Sequence, residues 1–257
     1  MPNNIYIDLL NKMCIRRGKM KRKVRMWTCI LMVVGIAITG ALGLVSCGGG
    51  GSGGGGGPVY ILGDVTKGDP TGTPPNDVHA GVIVASSVNF ISDITDATVS
   101  VNNKVLDFFI FAYALLTSPP AVDVGDSVTL KVVHGDNTAT STLTVPEKPV
   151  ITAPTTGSFH DATSAINVTW NSASTAPDGI YVFVDGTYTQ SSSDYYSNTL
   201  VGLATSHSIP LNTLLAGKSD IPIEVYFVNF TNSFTGDVIS GSTYEVEHLA
   251  QVSINTY

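Results

Sequence analysis

Basic residues are scarce beyond the first 46 residues of this 257-residue chain. After Cys47 there is no arginine, and five lysines are set against nineteen acidic residues, so this part carries a net charge of −14. Phosphate binding needs a basic surface, and we therefore expect no nucleic-acid partner. Charged residues make up only 13% of the chain and hydrophobic residues 43%, which excludes a chain that is disordered throughout.

Cysteine is also rare, since the chain has only Cys14, Cys29 and Cys47. The first two lie within or before an apolar N-terminal run, so a chain cut at the end of that run would keep Cys47 alone. A single cysteine permits neither an internal disulfide nor a cysteine-based metal site. The fold must therefore be held by its hydrophobic core.

The usual enzyme motifs are missing as well. The chain contains neither G-x-S-x-G nor H-E-x-x-H, and its five histidines lack the spacing of metal ligands. Gly217-Lys218-Ser219 lacks the upstream glycine of a P-loop. We expect a non-enzymatic protein without a cofactor or metal. A hydrolase with an unrecognised site stays open, because the order of a serine triad along a chain is not fixed.

The N-terminus combines a basic block with an apolar run. Eight of the thirteen Lys and Arg residues lie between Lys12 and Arg25, and no charged residue follows until after Ser46. This order is typical of a secretory signal, although about 20 apolar residues could also form an uncleaved anchor helix. Met20 would give a signal of ordinary length, so the chain starts at Met1 or Met20.

The apolar run ends in Leu44-Val45-Ser46-Cys47, followed by Gly48. This ending resembles the lipobox of bacterial lipoproteins. The resemblance implies signal cleavage after Leu44, Val45 and Ser46, and acylation of Cys47, so that the membrane becomes a partner through the lipid anchor. Since Gly48 is not the aspartate associated with retention in the inner membrane, the resemblance favours the outer membrane of a Gram-negative cell envelope.

The chain divides into four parts at changes of composition. Residues 1–46 are the N-terminal extension and lipoprotein signal peptide, and residues 47–57 are the lipidated cysteine and a Gly-rich linker. Ten such linker residues span about 17 Å as a flexible coil. Residues 58–146 and 147–257 are predicted to be two β-sandwiches, separated by Pro146-Glu147-Lys148-Pro149, where proline interrupts strand pairing.

Short β-branched runs recur between turn residues after Pro58, which is typical of an all-β sandwich. Residues 107–116 are apolar on both faces and are expected to form one buried strand. The tetrapeptide His134–Asn137 and the dipeptide Asp185-Gly186 each predict a hairpin. The predicted strands cover 81–88, 97–101, 107–116, 127–133, 139–145, 164–170, 179–184, 187–190, 206–209, 221–230 and 243–247.

In the second half, Ile166, Val168 and Trp170 share one strand face after a Pro-rich entry, and Val225-x-Phe227-x-Asn229 follows. By order and spacing, residues 149–250 resemble fibronectin type III and related Ig-like modules, and the first half is more weakly similar to an Ig-like module. The resemblance implies two tandem Ig-like or fibronectin type III-like sandwiches.

Adjacent aromatic residues in a polar loop are the best candidates for ligand binding. Tyr195 and Tyr196 follow Ser191–Asp194 and could stack on a glycan or anchor a protein partner. The alternative is that they cover the end of the sandwich. A second loop, Phe230–Phe234, is open to the same two interpretations.

Two groups of acidic residues stand out. Glu245 and Glu247 are two apart on a predicted strand and must share one face. They could form a carboxylate or Ca²⁺ site with His248 or Asp237, but the favoured interpretation is the solvated face of an edge strand, where charge discourages further pairing. The second group, Asp64, Asp69 and Asp77, could bind Ca²⁺ through its oxygen donors, but it lacks the spacing of an EF-hand, and a plain turn-rich loop is the favoured interpretation.

These observations favour a non-enzymatic, lipid-anchored protein of the cell envelope that displays β-sandwich modules for binding or structure. The alternatives are a carbohydrate-binding or adhesin module that uses Tyr195 and Tyr196, and an envelope hydrolase.

Overall fold

The computed structural model describes residues 56–68, 78–88, 94–109, 112–114, 121–197 and 203–257. The predicted signal peptide, the cleavage residues, Cys47 and most of the Gly-rich linker lie outside the described residues. Within these ranges, regular structure is β-strand apart from one turn of 3₁₀-helix at Gly186–Tyr188. The strands pack as facing sheets around hydrophobic cores, so the predicted all-β sandwich fold is confirmed.

The strands in chain order are β1 (Tyr60–Lys67), β2 (Val78–Ala85), β3 (Thr98–Val101), β4 (Lys104–Val105), β5 (Asp107–Phe109), β6 (Ala112–Ala114), β7 (Ser127–His134), β8 (Asn137–Thr144), β9 (Ile151–Ala153), β10 (Phe159–His160), β11 (Ile166–Trp170), β12 (Gly179–Val184), β13 (Tyr195–Tyr196), β14 (Ser206–Ile209), β15 (Ile221–Thr231) and β16 (Thr243–Thr256). A large sheet has the order β13-β12-β15-β16-β1-β2-β6-β5, with β10 paired to β16. Two smaller sheets have the orders β4-β3-β7-β8 and β14-β11-β9.

Each small sheet faces a different part of the large sheet. The four-stranded sheet packs on β1, β2 and β6, and its core is built from alternating residues that include Ile61, Val82, Val99 and Leu130. The three-stranded sheet packs on β12 and β15, and its core is built from alternating residues that include Val168, Trp170, Val182, Ile223 and Val225. Alternation places every second residue of these strands in a core, as the period of a strand requires.

Strand β16 belongs to both cores. Tyr244 and Val246 lie in the first core, whereas Val252 and Ile254 lie in the second. The strand pairs antiparallel with β15 along its length, and its first six residues, 243–248, pair in parallel with β1. One continuous sheet therefore runs through both halves of the chain. The division into two sandwiches at 58–146 and 147–257 stays a prediction.

The apolar stretch at residues 107–116 differs from the expected single strand. It contains β5 and β6, which pair with each other in the register Phe108–Tyr113. The rings of these two residues meet edge to face, with centroids 5.1 Å apart, and both belong to the first core or pack against it. The two short antiparallel strands thus place one aromatic pair at this edge of the core.

The hairpin predicted at Asp185-Gly186 is wrong. The Asp185 carboxylate accepts a hydrogen bond from the Thr187 amide at 2.7 Å, and this cap starts the 3₁₀-helix instead of a two-residue turn. The amide of Gly186 donates to the Asp194 carboxylate at 2.8 Å, which closes a longer loop. The strand that pairs with β12 is β13, not residues 187–190.

The loop between β15 and β16 is pinned to β8 at Gly236. This glycine has φ +84°, and a Cβ there would lie 2.1 Å from the carbonyl oxygen of Thr138. Gly125 has a similar φ of +83°, with no atom within 4 Å of a Cβ. Substitution of both glycines by alanine therefore distinguishes the cost of backbone strain, present at both positions, from the cost of a steric clash, present only at Gly236.

We expect Gly125→Ala to lower the free energy of unfolding by about 1 kcal/mol, the strain of a left-handed alanine. Gly236→Ala should lower it by about 2 kcal/mol more, because the loop must also move away from β8. Urea denaturation of both variants measures the difference. Equal losses would show that the loop does not press on β8.

Candidate functional site

The outer face of the large sheet, which points away from both cores, carries a group of carboxyls that are buried or half-buried. Glu245 and Glu247 lie on this face because their neighbours Tyr244 and Val246 point into the first core. The prediction that the two glutamates share one face is confirmed. The favoured environment was wrong, because β16 is an interior strand between β15 and β1 and not a solvated edge.

Asp64 joins these glutamates from the neighbouring strand. It was expected in a loop with Asp69 and Asp77, but it lies within β1, and the other two residues lie outside the described residues. In the parallel register of β1 and β16, Asp64 is opposite Glu245. Neighbouring strands are about 5 Å apart, so these carboxyls are close neighbours. We call Asp64, Glu245 and Glu247 the carboxyl group cluster.

The two helper residues proposed from the sequence are not part of this cluster. His248 points to the other face, where its Nδ1 lies 3.0 Å from the carbonyl oxygen of Pro146. The backbone amide of Asp237 donates to Asn137 Oδ1 at 3.1 Å, in the loop that packs on β8. The sequence pattern does not predict that Asp64 joins the glutamates, because only the long-range pairing of β1 with β16 brings it to them.

Two members of the cluster are buried, Glu245 is half-buried, and the described residues supply the cluster with few hydrogen bonds. Asp64 is only 7% exposed and accepts no hydrogen bond from any described residue, while Glu247 is 5% exposed. The Thr66 hydroxyl, opposite Glu247 in the register, donates to Glu247 Oε2 at 3.0 Å. On β15, the Tyr226 hydroxyl donates to Glu224 Oε2 at 2.7 Å, which places a fourth buried carboxyl on the same face.

Burial changes the acidity of these groups. It raises the pKa of Asp64 to about 8, and the neighbouring Glu245 adds to the shift. Burial also raises the pKa of Glu245. It raises the pKa of Glu247 well above the ordinary value, and Glu245 and Asp64 add to this shift while the Thr66 hydrogen bond opposes it. The cluster therefore keeps protons at a pH where exposed carboxyls have lost them.

No described cation offsets these carboxyls. The described residues contain five lysines and no arginine, and none of the three cluster members forms an ion pair within the described part of the chain. Lys67, on the same strand as Asp64, points to the other face, where it lies 3.7 Å from Asp123 and donates to the Val122 carbonyl. Two ionised carboxylates about 5 Å apart would repel by about 3 kcal/mol at an effective dielectric constant of about 20.

Carboxyls in such surroundings can bind protons. Among the residues that the structure describes, no three acidic, histidine or cysteine side chains are arranged to hold a metal ion. Apolar side chains of the same outer face flank the carboxyls on both sides. One flank comprises Tyr60, Leu62, Ile83, Ala85 and Ala112, and the other comprises Tyr181, Phe183, Tyr226, Val228 and Leu249.

Tyr195 and Tyr196 lie in strand β13 at the edge of the large sheet, and both are half-buried. The Tyr195 hydroxyl lies 2.6 Å from His207 Nε2, and its ring packs against the second core. The Tyr196 ring lies 4.7 Å from that of Phe183, on the outer face. Adjacent strand residues must face opposite ways, so the two rings do not form one platform. Ligand binding by these tyrosines stays a prediction.

The two aromatic rings of the second loop, Phe230–Phe234, also lie in different environments. Phe230 belongs to β15 and is 46% exposed, whereas Phe234 packs against the first core. The backbone amide of Phe230 donates to Asp178 Oδ2 at 3.0 Å, which fixes the end of the strand. Only one of the two rings is therefore presented to solvent.

One serine–histidine contact invites comparison with hydrolases. The Ser158 hydroxyl lies 2.8 Å from His160 Nε2, but it also donates to the Thr155 carbonyl at 2.6 Å. Within the described residues, no carboxylate orients the histidine, and Asp161 binds Thr163 and Ser164 instead. The arrangement lacks the third member of a catalytic triad.

The fold and these sites define an all-β sandwich protein with a buried carboxyl cluster on its large sheet. No known protein-family model matches the chain, and no curated protein matches it either. The described part of the chain contains no helix of the length and apolar character needed to cross a bilayer.

The raised pKa of Asp64 makes stability depend on pH. Unfolded aspartate titrates near pH 4, so between about pH 4 and pH 8 the folded protein holds a proton that the unfolded chain releases. The free energy of unfolding should fall as pH rises through this window, by at least about 1.4 kcal/mol, the equivalent of one pKa unit. Asp64→Asn should flatten the dependence and raise stability at pH 8.

Urea denaturation at pH 5 and pH 8 measures this dependence. Asp107→Asn, at an exposed position of β5 in the same sheet, is the matched control and should leave the wild-type profile unchanged. A wild-type protein that is more stable at pH 8 than at pH 5 would contradict the proton-bound cluster.

Proposed function

We propose that the protein is a non-enzymatic, lipid-anchored component of the cell envelope that displays its β-sandwich fold for binding or for a structural role. The anchor is Cys47, acylated after removal of the signal that ends in Leu44-Val45-Ser46. Two or more acyl chains hold a protein stably on a membrane, since each buried methylene contributes about 0.8 kcal/mol. The outer membrane is the favoured location in a Gram-negative cell.

One observation supports this proposal most directly. The folded part begins immediately after the Gly-rich linker, because Val59 is already in the first core and β1 starts at Tyr60. A flexible linker of ten residues reaches about 17 Å. The sandwich would therefore stand close to the lipid surface and remain free to turn on it.

The first strand after the linker, β1, is well suited to bear force from a lipid anchor. Strand β1 lies in the interior of the large sheet, paired along eight positions with β2 and along six with β16. Force on the lipid anchor would pass from the linker straight into these two ladders. The Ile61 amide also donates to Ser242 Oγ at 3.0 Å, which ties the start of β1 to the segment before β16.

Cys47→Ser should abolish lipid attachment, so that the chain carries no acyl group whether or not the signal peptide is cleaved. The expected readout is loss of metabolic labelling by palmitate and loss of the mass added by acyl chains on the N-terminal peptide. Ser52→Ala, a small change in the Gly-rich linker outside the cleavage motif, serves as the control and should keep the label. Wild-type protein with an unmodified Cys47 on an uncleaved chain would overturn the proposal.

A carbohydrate or protein ligand at Tyr195 and Tyr196 is the second candidate function. It is supported by the Tyr196 ring, which is half-buried on the outer face at the edge of the large sheet beside the polar loop Ser191–Asp194, whereas Tyr195 packs against the second core. Aromatic rings at such a border present a flat face to a sugar or to an anchor side chain. The residues after Cys47 carry a net charge of −14, which favours a neutral or basic ligand over an anionic polymer.

If the tyrosine pair binds a glycan, Tyr196→Ala should weaken binding on a glycan array by about tenfold or more, the effect of losing one buried aromatic contact. Tyr257→Ala removes a ring that is 68% exposed elsewhere and should leave binding unchanged. Wild-type protein that retains no glycan on the array, or equal binding by all three proteins, would remove this candidate.

A further inference from the structure

We propose that the carboxyl group cluster is a proton-controlled joint between β1 and β16, closed when the carboxyls are protonated and locally opened when they ionise. The inference concerns a regulatory device within the fold and does not depend on the proposed lipid anchor. It stands on the placement of three acidic side chains along the one strand pair that links the first half of the large sheet to the second.

The joint is short and defined. It consists of the six parallel pairs from Leu62–Thr243 to Lys67–His248. Within these six pairs, Asp64 is opposite Glu245, and Thr66 is opposite Glu247. Three of the four side chains that meet on the outer face of the joint at these two levels are carboxyls. The fourth, the Thr66 hydroxyl, donates to Glu247.

Asp64 is the independent observation that indicates a bound proton. It comes from a different strand than the glutamate pair and lies more than nine-tenths buried at 7% exposure. It accepts no hydrogen bond and forms no ion pair within the described residues. A buried, unpartnered carboxyl beside two others is retained in its neutral form or becomes a source of repulsion.

The groups that face the cluster come from each neighbouring strand. His79 on β2 lies opposite Thr66, and Glu224 and Tyr226 on β15 lie on the same outer face. Glu224 adds a like charge, which raises the pKa of Glu247 further. The described lysines do not neutralise the cluster, since Lys67 is directed to the opposite face. While the imidazole of His79 is neutral, these surroundings favour protonation of the cluster over ionisation.

The switching step is a simple proton release. In the closed state, the carboxyls of the cluster are neutral, and the β1–β16 pairs are intact. As pH rises, each carboxyl gives its proton to water and gains one negative charge, and no other bond is made or broken. Like charges then face each other across the joint in a site with little water, so opening the joint to solvent lowers their energy.

The opening is expected to stay local. Strand β1 keeps its eight antiparallel pairs with β2, and the later part of β16 keeps its pairs with β15 and its side chains Val252 and Ile254 in the second core. The parallel pairs around Asp64, Glu245 and Glu247 separate only transiently, and the closed joint remains the major state that holds the two parts of the large sheet together. Strand β1 follows the Gly-rich linker directly in the sequence, so the joint lies next to the linker.

Hydrogen–deuterium exchange of the full chain at pH 5.5 and pH 8.5, with times scaled for the intrinsic exchange rate, tests the joint. We expect protection of amides in 61–67 and 243–248 to fall at least tenfold at the higher pH. Protection in the β7–β8 hairpin, 127–144, should stay constant. Unchanged protection at the joint, or an equal loss in the hairpin, would overturn the proposal.

Three substitutions identify the groups responsible. Asp64→Asn and Glu247→Gln should each keep the joint protected at pH 8.5, while the control Asp107→Asn should open as the wild type does. Glu247→Gln preserves the size of the side chain and a partner for Thr66, so it serves if Asp64→Asn does not fold. Opening of both cluster variants with the wild-type pH profile would also overturn the proposal.

Discussion

The parallel pairing of β1 with β16 is the contact on which the rest of the structure depends. Without it, the large sheet would end at β16 on one side and at β1 on the other, and each small sheet would cover a separate fragment. With it, Tyr244 and Val246 complete the first core from a strand that also supplies Val252 to the second. The residues that meet in this pairing are about 180 positions apart in the chain, so its formation carries a large loop-closure cost.

The carboxyl group cluster lies at this same contact and makes it less stable than apolar side chains would. A fold selected only for stability would put apolar residues at Asp64, Glu245 and Glu247, as it does at the adjacent Val65 and Val246. Carboxyls survive there because they can bind protons and become neutral, which removes most of the cost of burying a charge. The same strand pair therefore links both cores and carries the acidic face of the large sheet.

The sequence predicted local structure well and long-range structure poorly. Strands β12 and β14 have the bounds predicted for them, 179–184 and 206–209, and β7 and β8 follow from the hairpin at His134–Asn137. Strand β1 escaped prediction because Gly63 and Asp64 interrupt its apolar pattern. For the candidate site, the spacing of two residues fixed the shared face of the glutamates. Their burial could not be predicted, because it depends on which strands lie beside β16.

The most direct test of this account is whether the two cores unfold as one unit at pH 5.5, where the joint is closed. Trp170 fluorescence reports the second core in a Trp27→Phe background, and the methyl NMR signals of Leu130 report the first core. The account predicts one urea midpoint for both probes, as two-state unfolding requires. Two midpoints separated by more than about 0.5 M urea would show that β16 does not join the cores energetically.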